Sequence, residues 1–272
     1  MVSERVSALA REMLDAYATG RQVTPAPSAR DGGIDLDTGY AVEAELTRLR
    51  RASGRKTVGR KLGLGNRAVW KTLNLETLVW ANMYDDTVHY ARNGQGTQSL
   101  ARMRSPRMEP EIVLKLKTVP KSAEPAAVLE ASEWLSFGYE FIDVPYADWK
   151  MHAGDFMATF GLHAALLVGE PRPISQKDIP SLVEALATFT VRLSKNGELA
   201  QEGGGKNVLD SPALALGEFV SALPRRPGAE PLRGGEIITT GSLTTPVPVA
   251  AGERWSLEAA GLDIAPLSAD IQ

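Results

Sequence analysis

Apolar residues near the start of the chain recur at helical spacing. Between residues 3 and 18 they fall three or four positions apart, at Val6, Leu9, Ala10, Met13, Leu14 and Tyr17. This period predicts an amphipathic helix with Ser3 as its candidate cap. A second helix is predicted from Leu36 to Ala52, with Asp37 as its candidate cap. Residues 1–56 are therefore predicted to form a helical N-terminal part.

From residue 57 onward, short apolar runs with a period of two replace the helical period, which is typical of strands. The segment TFTVRLSKNGELAQ at 188–201 predicts a β-hairpin, because alternating apolar residues flank an Asn-Gly turn. Longer helices are predicted only at 125–135 and 211–224. Many strands with few, separated helices favour an α+β fold, with a mixed sheet or barrel over residues 57–272.

One strand-like segment, RMEPEIVLKLK at 107–117, carries two glutamates on one face. Side chains alternate along a strand, so Glu109 and Glu111 point the same way. The first interpretation is the polar face of an exposed edge strand, which Pro110 favours because proline is confined mainly to edges and bulges. The second is a pair of metal ligands, since a divalent cation removes the repulsion between two converging carboxylates.

A third carboxylate lies inside an apolar strand, GYEFIDV at 138–144. Glu140 there needs a partner, because an isolated buried charge is costly. That partner is either an arginine or a metal ion shared with Glu109 and Glu111. Three carboxylates in a chain without cysteine suit a hard cation, Mg²⁺ or Mn²⁺, better than zinc.

Composition narrows the function classes. The chain has 272 residues, a net charge of −3 and no cysteine. The acidic balance argues against nucleic acid or an anionic membrane as the main partner, and the missing cysteines exclude disulfides and thiolate sites. The N-terminus lacks the apolar core of a signal peptide, and no run of 18 apolar residues occurs. A cytoplasmic protein is expected.

Lys61 lies between glycines in GRKLGLGN at 59–66, where the backbone is expected to turn tightly. Lys61 is either a surface lysine or a group that holds an anionic substrate near a metal. The glycines also match a G-x-G-x-x-A pattern, but the preceding strand is charged and no P-loop Lys-Ser pair follows, which disfavours nucleotide binding.

Taken together, these stretches resemble the 2-oxo-4-pentenoate hydratase and 4-oxalocrotonate decarboxylase family, part of the wider fumarylacetoacetate hydrolase superfamily. The resemblance covers nearly the whole chain. It is carried by the order of six motifs: GRKLGLG at 59–65, YDDTV at 84–88, PRMEPEI at 106–112, EFIDVP at 140–145, DW at 148–149 and GEIITTGSL at 235–243.

The resemblance implies a β-roll or barrel core and a site for Mg²⁺ or Mn²⁺ formed by Glu109, Glu111 and Glu140. It also implies that the metal acts as a Lewis acid on a short 2-oxo acid and stabilises an enolate. Proton transfer and substrate orientation are then expected of Lys61 and of Asp86.

Substrate contacts are expected from five further residues. They are Leu64, His163, Thr240, Gly241 and Ser242. Residues 240–242 offer hydroxyls and backbone N–H groups, although an ordinary strand-end turn explains them equally well. His163 is either a new acid/base or a core histidine whose hydrogen bonds are satisfied.

The chain departs from the family pattern beside this site. The family's Ser-Arg is Val144-Pro145 here, its A-D-N-A-S segment corresponds to ATFGLH at 158–163, and the threonine of its G-L-T is Gly65. These changes predict a retained metal site and a substrate with a bulkier or more apolar tail.

The expected function is a metal-dependent lyase that hydrates a 2-hydroxy-2,4-dienoate in the catabolism of aromatic or related compounds. A 2-oxo-enedioate decarboxylase, a tautomerase or C–C hydrolase of the same superfamily, and a non-catalytic partner subunit are the alternatives. Homo-oligomers are common in the family, so self-association is expected, and a complex with another enzyme of the same pathway is a further possibility.

Overall fold

The computed structural model describes residues 3–272, and Met1 and Val2, at the start of the predicted helical part, lie outside the described residues. Helices α1 and α2 occupy Glu4–Thr19 and Leu36–Ala52. Both predictions are confirmed to within a residue or two at each end.

The caps of these helices follow from backbone geometry. Ser3 caps α1 as predicted, its hydroxyl accepting a hydrogen bond from Val6 N. The predicted cap of α2 was wrong: Asp35, not Asp37, precedes the first helical residue and accepts from Thr38 N at 2.7 Å. An N-cap that accepts a hydrogen bond from the first turn typically has extended backbone, as Asp35 does, whereas Asp37 already lies in the first turn.

Five further α-helices follow within the described residues: α3 Arg67–Leu73, α4 Pro125–Glu130, α5 Ala153–Met157, α6 Ile179–Thr188 and α7 Pro212–Ala222. The helix predicted over 125–135 ends at Glu130, because the residues from Ser132 onward pair with a neighbouring strand instead. None of the helices in this part of the chain combines the length and apolar character needed to cross a membrane.

The described residues form fourteen strands: β1 Thr57–Gly63, β2 Val79–Tyr84, β3 Val88–Tyr90, β4 Gln95–Gln98, β5 Arg107–Leu116, β6 Ser132–Ile142, β7 His163–Val168, β8 Arg172–Pro173, β9 Thr190–Lys195, β10 Glu198–Gly204, β11 Ile237–Ser242, β12 Val247–Pro248, β13 Arg254–Ala260 and β14 Leu267–Ile271. They make two sheets. The larger runs β2-β1-β11-β5-β6-β7-β3, with β12 beside β5 and β8 beside β6. The smaller runs β10-β9-β13-β14-β4 and contains the predicted hairpin.

The larger sheet is mixed and curls into a half-barrel, which confirms the predicted fold class. Its register places alternate residues of neighbouring strands on one inner face. Lys61 lies opposite Thr239, and Glu109 lies opposite Glu140. The outer face packs against α6, α7 and the smaller sheet around Phe137, Phe141 and Phe219.

The N-terminal helices share a second core with the main fold. Val6, Met13 and Leu46 pack with apolar residues from two later segments, 75–84 and 142–162. The division at residue 56 stays a prediction. This shared core leads us to expect that the two parts unfold together.

Candidate metal centre

The strand that carries Glu109 and Glu111 lies in the middle of the half-barrel. β5 pairs with β11 and β12 on one side and with β6 on the other, so the exposed-edge interpretation was wrong. The carbonyl of Pro110 faces the break between β11 and β12 and accepts a hydrogen bond from Leu243 N at 2.7 Å. The missing N–H of Pro110 would lie on the same side of β5, so proline is tolerated at this position. A ladder N–H is not needed at such an irregularity.

Glu109, Glu111 and Glu140 converge, each offering one carboxylate oxygen within 4.8 Å of the others. Glu111 and Glu140 are fully buried, while Glu109 is half-buried at the wall of a cavity. Oε2 of Glu111 accepts from Gly241 N at 2.7 Å, but its Oε1 is buried and has no hydrogen-bond partner among the described residues.

The residues fit a hard divalent cation. A buried carboxylate oxygen without a donor is costly, and a cation would satisfy it. An all-oxygen donor set suits Mg²⁺ or Mn²⁺.

The contact from Gly241 depends on a bulge in β11. The pairing of β11 with β5 shifts between Thr239 and Ser242, and Gly241 has φ +114°, which favours glycine. The bulge turns the Gly241 amide toward Glu111. It also leaves Thr240 facing away, donating to Ile112 O at 2.9 Å. Of residues 240–242, Gly241 and Ser242 line the cavity, and Thr240 does not.

Lys61 is buried on the same inner face. Its Nζ lies 3.3 Å from Glu140 Oε1 and donates to Gly161 O at 3.0 Å. Phe160, Gly161 and Leu162 form a left-handed turn, with φ of 56°, 57° and 67°. Two non-glycine residues in that region cost about 1 kcal/mol each, strain of a kind that clusters at functional sites.

The charges of the cluster shift one another's pKa values. Burial alone would lower the pKa of Lys61, but Glu140, Glu109 and Glu111 outweigh it and the pKa is raised. Burial raises the pKa of Glu109 to about 7 and the pKa of Glu111 well above its usual range. Burial also acts to raise the pKa of Glu140, but Lys61 and His163 outweigh it and the pKa is lowered. Lys61 and Glu140 therefore form a charged pair, while Glu109 and Glu111 tend to hold protons until a cation binds.

Two other predicted residues lie outside the cavity wall. His163 is buried behind Glu140, with Nδ1 2.9 Å from Glu140 Oε1 and Nε2 2.9 Å from Thr87 Oγ1. The satisfied-histidine interpretation describes these contacts. Asp86 is partly exposed and pairs with Arg50 and Arg55, and Lys61 pairs instead with Glu140. No contact among the described residues brings Asp86 to Lys61, so its catalytic role stays a prediction.

A cavity of about 650 Å³ is lined by Glu109 and Lys61. Leu64, in a left-handed conformation with φ 56°, lines it, and its contact with substrate stays a prediction. Phe156, Lys206 and Asn207 line it as well, and the sequence did not single them out. Lys206 and Asn207 follow the Gly203–Gly205 run at the end of β10, a strand of the smaller sheet, and the packing of that sheet brings them to the cavity.

The substituted Val144-Pro145 serves packing. Val144 is fully buried in the core beneath the N-terminal helices, and the carbonyl of Pro145 accepts from Val23 N at 2.7 Å. Neither residue lines the cavity. The corresponding polar residues of the family pattern are thus replaced by a contact between the helical part and the half-barrel.

Comparison with known proteins gives consistent relatives. The chain is 29% identical over 233 residues to a 2-hydroxyhexa-2,4-dienoate hydratase of Comamonas testosteroni, covering 84% of each chain. It is 28% identical to a 2-keto-4-pentenoate hydratase of Burkholderia vietnamiensis over 94% of each chain. It is 27% identical to a 4-oxalocrotonate decarboxylase of a Pseudomonas species, covering 82% of this chain and 81% of that one. No family model matches the chain.

Among solved structures, the 4-oxalocrotonate decarboxylase of Pseudomonas putida G7, complexed with magnesium and adipate, superposes with a TM-score of 0.86 at 25% identity, covering 99% of this chain and 98% of that one. A fumarylpyruvate hydrolase of Pseudomonas aeruginosa, in complex with Mn²⁺ and pyruvate, shares the fold at a TM-score of 0.58 and 17% identity, covering 78% of this chain and 88% of that one. These relatives fit a divergent member of the 2-keto-4-pentenoate hydratase and 4-oxalocrotonate decarboxylase family.

Proposed function

We propose that this protein is a divalent-metal-dependent lyase that hydrates a 2-hydroxy-2,4-dienoate. The observation that carries the proposal is the convergence of three carboxylates beside a charged, buried lysine, with Glu109 and Lys61 of this group lining one cavity. Relatives named as hydratases, at 28–29% identity, support the same reaction class.

Glu109, Glu111 and Glu140 would hold Mg²⁺ or Mn²⁺, which when bound would supply Lewis-acid polarisation of the 2-oxygen and carboxylate of the substrate. Without a cation, the raised pKa values of Glu109 and Glu111 favour their protonated forms. The carboxylates therefore bind either protons or the cation, and the two compete.

Lys61 would bind and orient the substrate. An ammonium group has three N–H donors. Gly161 O and Glu140 Oε1 take two of them, which leaves one for the cavity that Lys61 lines. Ketonisation of the dienol moves a proton from the 2-hydroxyl to a terminal carbon, and water then adds to the conjugated double bond. A fixed ammonium beside the 2-oxygen stabilises negative charge there throughout.

The apolar wall would hold the hydrocarbon end of the substrate. Leu64, Val69, Ile142 and Phe156 line the cavity near Lys61. Apolar side chains exclude bulk water and strengthen the electrostatic contacts within the site. This wall supports a substrate whose tail is alkyl.

The first test is calorimetric titration of Mg²⁺ and Mn²⁺ into metal-stripped protein, with the Glu109→Ala/Glu111→Ala variant beside the wild type. We expect one ion per wild-type chain and none in the variant. The loaded wild type should then convert 2-hydroxypenta-2,4-dienoate to the 4-hydroxy-2-oxo acid, followed by NMR. Absence of ion binding in the wild type would refute the proposal. Binding without turnover of any dienoate would refute hydration and leave decarboxylation and the non-catalytic alternative.

Decarboxylation of a 2-oxo-enedioate is the second candidate, and Lys206 favours it. This lysine lines the cavity, is exposed, and forms no ion pair with any residue of 3–272. A cation at the rim, apart from the carboxylate cluster, suits a second carboxylate at the far end of a substrate.

The Lys206→Ala variant tests this candidate. If the substrate is a dicarboxylate, we expect KM for a 2-oxo-enedioate to rise about fivefold, because an exposed ion pair contributes up to about 1 kcal/mol. KM for a monocarboxylic dienoate should be unchanged. Equal effects on both substrates would remove the support that Lys206 gives to decarboxylation.

We further propose that the protein self-associates, acts in the cytoplasm and forms a complex with another enzyme of its pathway. Self-association is common in the family that the sequence resembles, and the absence of cysteine suits a reducing compartment. Size-exclusion chromatography with light scattering and cell fractionation would test these points.

A further inference from the structure

We propose that His163 is a positioning residue that holds Glu140 with one carboxylate oxygen turned toward the metal centre. This inference rests on the proposed metal site, and it assigns to His163 a role other than substrate contact. It follows from the unequal contacts that the two carboxylate oxygens of Glu140 make.

Oε1 of Glu140 is held from two sides. Lys61 Nζ lies 3.3 Å away and His163 Nδ1 lies 2.9 Å away. Oε2 has only a long contact, 3.5 Å, from Thr239 Oγ1. Two strong contacts on one oxygen fix the rotation of the carboxylate and leave Oε2 free to act as a ligand.

The ring of His163 is itself fixed. Its Nε2 lies 2.9 Å from Thr87 Oγ1. Thr87 in turn is held in the turn after β2, where its hydroxyl lies 3.2 Å from Tyr84 N and 3.1 Å from Tyr84 O. A ring anchored at both nitrogens cannot rotate without breaking a buried hydrogen bond.

A bulge places His163 on the inner face. In the pairing of β6 with β7, Phe141 lies opposite Ala165, but Ile142 lies opposite His163 rather than Ala164. The extra residue reverses the alternation, so that His163 joins the face of Glu140. His163 is also 3% exposed and absent from the cavity wall, which places it behind the ligand and out of reach of the substrate.

Three variants test the inference through the affinity of the stripped protein for Mn²⁺, measured by calorimetry. His163→Leu removes both ring contacts. His163→Asn can place an amide N–H near the position of Nδ1, and His163→Gln near that of Nε2. We expect Leu and Gln to weaken Mn²⁺ binding about 10- to 100-fold, as removal of a hydrogen bond to a metal ligand usually does. Asn should remain within a few-fold of the wild type.

A second readout separates positioning from substrate contact. At saturating Mn²⁺, the Gln variant should regain most of its turnover with an unchanged substrate KM. A raised KM under those conditions would overturn the inference in favour of substrate contact.

The inference also fails if the Leu variant binds Mn²⁺ as tightly as the wild type, or if Asn is as weak as Gln. If Leu does not fold, the Asn and Gln pair decides. Absence of Mn²⁺ binding in the wild type would instead refute the proposed function, so the two failures are distinguishable.

Discussion

The inner face of the half-barrel has two ends with opposite character, although the same strands build both. At one end β5 contributes Glu109 and Glu111 and β6 contributes Glu140. Toward the other end the same faces carry Val113 and Trp134, which pack with residues of β2, β3, β7 and β11. That second cluster comprises Met83, Val88, Val113, Trp134, Leu166, Val168 and Ile237.

The two ends differ in what satisfies a buried group. The apolar end needs only close packing. At the site end, buried charges are held by Lys61, His163 and the Gly241 amide, and one oxygen of Glu111 still has no partner among the residues described. The apolar end therefore supports the strands by close packing. At the site end, the buried carboxylates have an unfavourable electrostatic energy that a bound cation would reduce.

The largest expected effect comes from placing a carboxylate at the apolar end. Val113→Asp should destabilise the protein by about 4 kcal/mol, because the side chains packed around Val113 are apolar and would surround a buried charge. Glu111→Gln at the site end should change the stability of the metal-free protein by less than about 1 kcal/mol, since Glu111 already tends to be protonated. Urea unfolding of stripped proteins measures both. Similar losses in the two variants would contradict the contrast.

Removing the lysine at each end gives the next largest difference. Lys61→Met should destabilise the protein by about 3 kcal/mol and reduce kcat at least a hundredfold, because Glu140 is left buried beside fewer cations. Lys115 lies on the same face of β5 toward the apolar end and is half-buried, and Lys115→Met should change stability by less than about 0.5 kcal/mol. Urea unfolding and steady-state kinetics would check this pair. Equal effects would mean that the Lys61–Glu140 pair has no special role.

The pH dependence of stability should come from the site end. Glu109 has a pKa raised from 4.5 to about 7 in the folded chain, so the folded state binds its proton more tightly than the unfolded state does. Its contribution to stability is therefore present below about pH 4.5 and is lost as pH rises through about 7. The thermal midpoint of stripped wild type should fall across this window more than that of Glu109→Gln. Parallel curves for the two proteins would contradict this.

Metal binding should show the opposite trend with pH. Protons compete with the cation for Glu109, so Mn²⁺ affinity should increase as pH rises from about 6 to about 8. Calorimetry at three pH values would measure it. Affinity that does not depend on pH would argue that Glu109 is not a ligand.

The smallest expected effect concerns Ser242, whose buried hydroxyl lines the cavity without a partner among residues 3–272. Ser242→Ala should change stability by less than about 1 kcal/mol, because no hydrogen bond within the chain is lost. If the hydroxyl contacts substrate, KM should rise several-fold. An unchanged KM would indicate that Ser242 is a structural residue of the β11 bulge and does not contact the substrate.

Sequence patterns predicted the parts of this protein that local rules govern. The helical period and Ser3 gave α1, and the Asn-Gly turn gave the hairpin. The period of two put Glu109 and Glu111 on one face. The cap of α2 and the end of the 125–135 helix were missed, because they depend on backbone conformation and on strand pairing.

The alternation of residues along β5 could not show which of its faces is buried. A strand inside a barrel and a solvent-exposed edge strand both alternate with a period of two residues. The sequence by itself determined most element types and the three carboxylates, and its motifs carried the resemblance to the family. Only the tertiary structure placed β5 centrally, paired Lys61 with Glu140, set His163 behind that glutamate and brought Lys206 to the cavity. These outcomes depend on strand order, bulges and the packing of segments that are distant in sequence. Burial then strengthens the interactions between the charged groups.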